Sequence, residues 1–444
     1  MNFKKSDFGE NFIWGAAQAS YQTEGEWDTD GKGKSIWDTF SQTKGKVERN
    51  ENGNIATDFY HKFEKDLELM KSLNFKHFRF SFSWSRIFPE GIGKVNLKGV
   101  EYYHNVIDKC KELGIEPWVT IYHWDLPQAI ENKGGWTNRQ IIDWFSEYTN
   151  FVSTEYGSKV KNWMVLNEPL SFTVNGYMLG TMAPGKKGFS NFRKAVHHAN
   201  LCQAVGARIV RKNVSNSNIG TTHFTSYIEP YTKKDVKAAE RIDALINRIF
   251  IEPSLGMGYP TERLPFMKSM KKVIQPGDIE KMKFDFDFIG LQYYFRAVVK
   301  RGLMPGIWAK EVFAKDRGVV ANEMNGEIYP DGFYKIIKQF SEYKGVKKII
   351  VTENGSCFKD EIIDSKIEDN ERIEYFKSHL PQILKAQKEG IDISGYFVWS
   401  LTDNFEWDKG FRPRFGLIYV DYNSLQRIVK KSGFWFKDFL ENDK

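Results

Sequence analysis

Short β-branched and aromatic runs alternate along this chain with longer segments in which apolar residues return every three or four positions. Strands are predicted over residues 12–16, 78–82, 117–122, 162–166, 219–223, 286–294, 348–352 and 395–399. Each run is short, and most are continuously apolar, as strands buried on both faces are. Between them, Phe59, Phe63, Leu67 and Met70 mark one face of a helix, and Tyr103, Val106 and Cys110 mark another. Thr137 reads as an N-cap and Gly157 as a C′ residue, bracketing Ile141, Phe145, Tyr148 and Val152. Gly114 and Gly390 each end a helix just ahead of a strand. Residues 225–285 exceed what one crossover needs and are expected to hold extra helices, one of them over 234–250. Strand–helix alternation builds a parallel sheet, and this many units predict a closed (β/α)8 TIM barrel, one domain over 1–444 with elaborated βα loops at its C-terminal rim. A doubly wound open sheet is the competing topology, but no Gly-rich phosphate loop follows the first strand.

Composition narrows the partners. Net charge is +7, from 64 basic and 57 acidic residues, and even the densest basic stretch, 268–283, is interrupted by Asp278 and Glu280. Nucleic acid wants a continuous basic face, so no such partner is expected. Cys110, Cys202 and Cys357 are scattered, and the 8 His form no His-Glu-x-x-His, so neither a disulfide framework, a metal nor a cofactor is expected. No apolar run approaches the ~18 residues of a membrane span, and the first residues lack the apolar core of a signal peptide. The expected setting is soluble and cytoplasmic, with no membrane partner; assembly into a homo-oligomer is left open. Aromatic residues make up 15% of the chain and include 13 Trp. Most must be core, but flat apolar faces beside carboxylates also suit the C–H faces of sugar rings.

Two strands end alike. The fourth runs into Asn167-Glu168-Pro169 and the seventh into Glu353-Asn354-Gly355, both at the rim where barrels place their chemistry. Two carboxyls facing each other over a cleft are what glycosidic bond cleavage requires: an acid for the leaving oxygen, and a base or nucleophile for the anomeric carbon. Arg79 can hold one of them ionised, or serve only as a structural ion pair, and Tyr294 can donate a phenolic hydrogen bond to the same group. Gln22, His123, Asn167 and Glu406 bring groups that match vicinal hydroxyls, while Trp124, Trp399 and Trp407 offer stacking faces. Cys357, four residues past Glu353, is read as a packed small residue that makes the site thiol-sensitive, with a reactive thiol as the alternative. No Gly-x-Ser-x-Gly elbow is present.

With these residues the chain resembles family 1 of the glycoside hydrolases, the β-glucosidase and 6-phospho-β-glycosidase family. The resemblance runs from Phe12 to about Phe439. It is carried by Phe12-Ile13-Trp14-Gly15, Ser20-Tyr21-Gln22-Thr23-Glu24-Gly25, Arg79-Phe80-Ser81-Phe82-Ser83-Trp84, Tyr122-His123-Trp124, Asn167-Glu168-Pro169, Thr352-Glu353-Asn354-Gly355, and Trp399-Ser400-Leu401 leading to Asn404-Phe405-Glu406-Trp407. It implies retention at the anomeric carbon by double displacement, with Glu353 as nucleophile, Glu168 as acid/base, and carboxyls about 5–5.5 Å apart. It also implies a sugar subsite of Gln22, His123, Asn167, Glu406 and Trp407 with Trp399 as platform; Trp124 and Phe415 complete the candidate substrate-binding set. The expected ligand is a small β-glycoside or short oligosaccharide, most simply a β-glucoside.

The alternatives are a 6-phospho-β-glycosidase and a barrel that binds sugar without cleaving it. Phosphosugar members of the family carry a serine, a lysine and a tyrosine where this chain has Glu406, Pro413 and Phe415, and a glutamate repels a phosphate dianion. Arg412 or Arg414 would have to grip the phosphate instead. Glu168 stands where a thioglucosidase of the plant type has Gln. Gln292 replaces the usual Asn of the sixth strand, which is expected to shift hydrogen bonds around the nucleophile. Leu170 and Gly326 replace two aromatic residues, and Met182 a His, predicting a wider entrance and a preference for aglycones other than glucose.

Overall fold

Eight strands close into one parallel barrel: Ile13–Ala17, His77–Ser81, Glu116–Tyr122, Asn162–Asn167, Asn218–Thr225, Phe288–Tyr293, Ile349–Asn354 and Ile393–Trp399. Each pairs with its neighbours in the chain, and the first pairs with the eighth through Ile13↔Gly395 to Ala17↔Trp399. The computed structural model describes residues 3–441.

Side-chain alternation splits the apolar residues into two bodies. Trp118, Met164, Phe288, Ile350 and Phe397 fill the barrel interior. The outward residues pack against the helices, among them Phe59–Ser72 and Leu97–Glu112, whose buried faces contain Leu67, Met70, Tyr103, Val106 and Cys110. Each buried aromatic or large aliphatic side chain contributes about 1.5–3 kcal/mol. Gly114 (φ +70) and Gly390 (φ +84) take the left-handed conformation just past their helices, as predicted.

Around the helix Ile141–Tyr156 the predicted caps are corrected. Thr137 lies in a separate 3₁₀ turn, Gly135–Thr137, formed because Trp136 is drawn fully into the core, where its indole N–H donates to the Tyr122 hydroxyl. Thr137 turns its hydroxyl back onto Gly134, and the Asn138 side chain accepts from the Gln140 N–H to start the helix. Gly157 has an ordinary helical φ of −61; it is small because a Cβ there would lie 2.7 Å from Val214.

Residues 225–285 hold the expected helices, including Val236–Asp243, which continues into a wider turn over Ala244–Arg248. The sequence pattern did not show three small sheets outside the barrel. One joins Ile228–Pro230, Ala297–Arg301 and Ala309–Glu311; two are hairpins, Ile362–Ile363 with Lys366–Ile367 and Ile418–Val420 with Arg427–Val429. Among the described residues no helix is long and apolar enough to cross a membrane.

Candidate active site

The strands that carry the two carboxyls are both irregular just before them. On the seventh, Val351 pairs with Leu291 but Glu353 pairs with Gln292, so Thr352 is an extra residue. On the fourth, Met164 pairs with Gly220 and Asn167 with Thr222, again one residue in excess. Such bulges re-aim the side chains that follow. They turn Glu353 and Asn167 inward, and Glu168 follows with φ +41, a left-handed backbone unusual for a glutamate. Trp124 (φ +76) and Trp407 (φ +51) share that conformation, and such outliers gather where surroundings hold a residue in place for a task.

A cavity of about 570 Å³ opens over these residues. All the sequence-predicted candidates line it except Arg79, which lies beneath Glu353. Glu353 receives three donors: Arg79 Nη1 at 2.5 Å and Gln292 Nε2 at 2.7 Å on Oε1, and the Tyr294 hydroxyl at 2.6 Å on Oε2. Arg79 Nη2 donates to Asn167 Oδ1, which also accepts from Thr222 and Gln292. The sixth-strand glutamine therefore ties the nucleophile candidate to the strand bearing the other carboxyl. It belongs to the site: the sequence places Gln292 among the hydrogen bonds around the nucleophile, and the bond to Asn167 is the part it does not foretell.

Burial drives the Glu168 carboxyl well above the usual carboxylate range, and the charge on Glu353 adds to this. Burial raises Glu353 too, but Arg79 and the Tyr294 hydroxyl oppose it. Glu353 therefore ionises first and Glu168 keeps its proton. Tyr294, pushed far up by burial and by Glu353, stays a donor.

Asn167 Oδ1 is filled by donors, so its Nδ2 faces His123 Nε2 at 2.9 Å. Burial, then Arg79, holds the imidazole neutral, so Nε2 accepts and Nδ1 carries the hydrogen. Among the described residues neither His123 Nδ1 nor Gln22 Oε1 has a partner, though both are buried. One free donor and one free acceptor on the cavity wall suit adjacent hydroxyls. Trp124 is anchored by its indole N–H to the Asn167 carbonyl and packs on Trp407 at 4.6 Å. Trp399 lies near-parallel to His123, and Phe415 meets Tyr294 edge-on. Burial, then Glu353, lifts Glu406 to about 8.

Cys357 is fully buried, and burial with Glu406 pushes its thiol up to about 12; it packs and does not react. Arg412 pairs with Glu48, and Arg414 with Asp403. Neither lines the cavity. Away from the cavity, Glu26, Asp58 and His61 bring three possible metal-binding atoms within 4.8 Å of one another. Asp58 already pairs with His61 and Lys62 there.

The sequence pattern of glycosyl hydrolase family 1 matches residues 4–444. The chain belongs to that family. Beta-glucosidase A of Thermotoga maritima is 41% identical over 100% of this chain and 99% of its own. Beta-glucosidase A of Acetivibrio thermocellus is 38% identical over 99% of each. Among solved structures, the Thermotoga maritima beta-glucosidase in complex with glucoimidazole superposes with a TM-score of 0.93 at 40% identity, covering 98% of both chains. The barrel is thus that of a family 1 hydrolase.

Proposed function

We propose that this family 1 hydrolase is a retaining β-glucosidase, removing the terminal β-D-glucosyl residue from small glycosides, with one catalytic unit over 1–444. The observation that carries the residue roles is the asymmetry of the two carboxyls. Glu353 is gripped by Arg79, Gln292 and Tyr294; Glu168 is buried, and burial with the charge on Glu353 drives its carboxyl well above the usual range despite Arg79.

In the first step Glu353 attacks the anomeric carbon as the bond to the aglycone oxygen breaks, and Glu168 delivers its proton to that oxygen. The glycosyl ester neutralises Glu353, so Glu168 no longer feels its charge and loses its proton more readily. Glu168 then takes a proton from water, whose oxygen attacks the anomeric carbon and releases Glu353. His123 Nδ1–H, Gln22 Oε1 and Glu406 hold the sugar hydroxyls over Trp399. The three free cysteines support a cytoplasmic setting.

A non-catalytic barrel would not need both carboxyls in the cavity. Arg412 and Arg414, which the phosphoglycosidase alternative would need to grip a phosphate, are paired with Glu48 and Asp403 and do not line the cavity. The test is initial-rate hydrolysis of nitrophenyl β-glucoside against its 6-phospho counterpart. Fast release from the plain glucoside, reduced to background in Glu353→Gln, is expected. In Glu168→Gln the loss should be ~10²–10⁴-fold for alkyl glucosides and smaller for nitrophenyl, which leaves without a proton. Release only from the phosphosugar would overturn the substrate assignment.

A further inference from the structure

The cavity has two halves of different chemistry. The inner half is polar: three carboxyls, an imidazole and amides. The outer half is built from Leu170, Val174, Leu179 and Met182, which follow the fourth strand, and from Leu245 and Ile246 on the wide turn of 244–248, with the rings of Phe224 and Phe295 packed together beside them. Leu179 and Met324 line this half and are 40% and 37% exposed, so apolar surface stands open to solvent at the mouth.

The polar groups of the outer half are few, and two of the four are engaged. Asn322 donates to the Ser356 hydroxyl and accepts from the N–H groups of Met324 and Gly326. The Ser171 hydroxyl is taken by Glu168. Asn175 and Glu311 remain. A departing glucose would bring hydroxyls on every side of its ring, and each one buried without a partner costs a few kcal/mol. An apolar leaving group brings no such debt and covers the apolar wall instead. Glu311 further disfavours an anionic one.

We propose that the outer half of the cavity takes an apolar, mainly aliphatic aglycone, an alkyl or alicyclic alcohol, in preference to a second sugar. The proposal rests on the β-glucosidase reading above. Leu170, Val174, Leu245 and Ile246 then determine specificity through the area they bury against the leaving group, and the inner half is indifferent to it.

The test is kcat/KM for methyl, butyl, hexyl and octyl β-D-glucosides, below micelle-forming concentrations, with cellobiose and nitrophenyl β-D-glucoside alongside. The alkyl leaving groups are nearly equal in basicity, so a gain with length reports contact with the wall. The expected result is a rise of up to about fourfold per methylene over the first members, from the transfer free energy of a buried CH₂, with octyl glucoside above cellobiose by roughly tenfold or more. Leu245→Gln and Val174→Gln should flatten the series, whereas damage to the fold would lower every member alike. Turnover of nitrophenyl glucoside with a flat series, or with cellobiose equal to octyl glucoside, overturns this inference alone. Silence on nitrophenyl glucoside overturns the parent reading and this one with it.

Discussion

Gln292 shows how much one side chain can decide. Its amide donates to both Glu353 and Asn167, and a hydrogen bond to a charged group contributes about 1.5–3 kcal/mol. Gln292→Met keeps the length and removes the donor, so Glu353 becomes harder to ionise. The acid limb of the kcat/KM profile should move to higher pH, and the maximum should fall by roughly 10–100-fold; an unmoved limb would refute the role. The alkaline limb belongs to Glu168 and should stay in place. The residue types at this site were legible because each chemical task requires a particular group: a carboxyl pair, a guanidinium, a phenol. The reach of Gln292 to the nucleophile was legible as well, but its second bond, to Asn167, was not, since no pattern in the chain says which of two neighbouring strands a flexible amide will also reach.

At the level of the element, the seventh strand divides its work residue by residue. The Thr352 carbonyl accepts from Arg79, Glu353 faces the cavity, and Asn354 donates to the Tyr293 carbonyl and the Tyr375 hydroxyl while accepting from Tyr396. Gly355 allows the turn that follows to pass Trp399, whose carbonyl would lie 2.0 Å from any Cβ there. Gly355→Ala must therefore push the strand end away from the sugar platform. A stability loss of about 1–3 kcal/mol is expected in thermal melts, with KM for glucosides raised more than the loss of fold explains. Eight strands and their order were readable from continuous apolar runs. The bulges were not, because an extra residue in a strand leaves the composition of the run unchanged. Thr137 failed as a cap for a related reason: burying Trp136 outweighed the local preference of a threonine.

Across the whole molecule, the rim is fastened by buried charges. Lys430 bridges Asp360 and Asp403, while Arg372 pairs with Asp360 and Asp369 and donates to the Arg414 carbonyl. These join the loops after the seventh and eighth strands to the start of the C-terminal helix Lys431–Glu441. Lys430→Met removes the cation shared by two buried aspartates, leaving Asp360 only Arg372 and Asp403 only Arg414, and should cost about 3 kcal/mol, read by denaturant unfolding. Leu170 and Gly326, singled out in the sequence, both line the cavity, whereas the network was invisible until distant segments met.

The crowding of Glu168, Glu353 and Glu406 in one cavity also makes the enzyme less robust than its scaffold allows. Glu406 ionises near 8 in the fold against about 4.3 in an unfolded chain. The native state thus holds a proton that the unfolded state has lost, and stability drains away as pH climbs between those values. Glu406→Gln should therefore melt higher than the parent, by a margin of order 2 kcal/mol near pH 8 that shrinks towards pH 5, even as it loses turnover. A glucose-like inhibitor should recover much of the same margin in the parent. Heat tolerance and catalysis pull against each other at this one carboxylate.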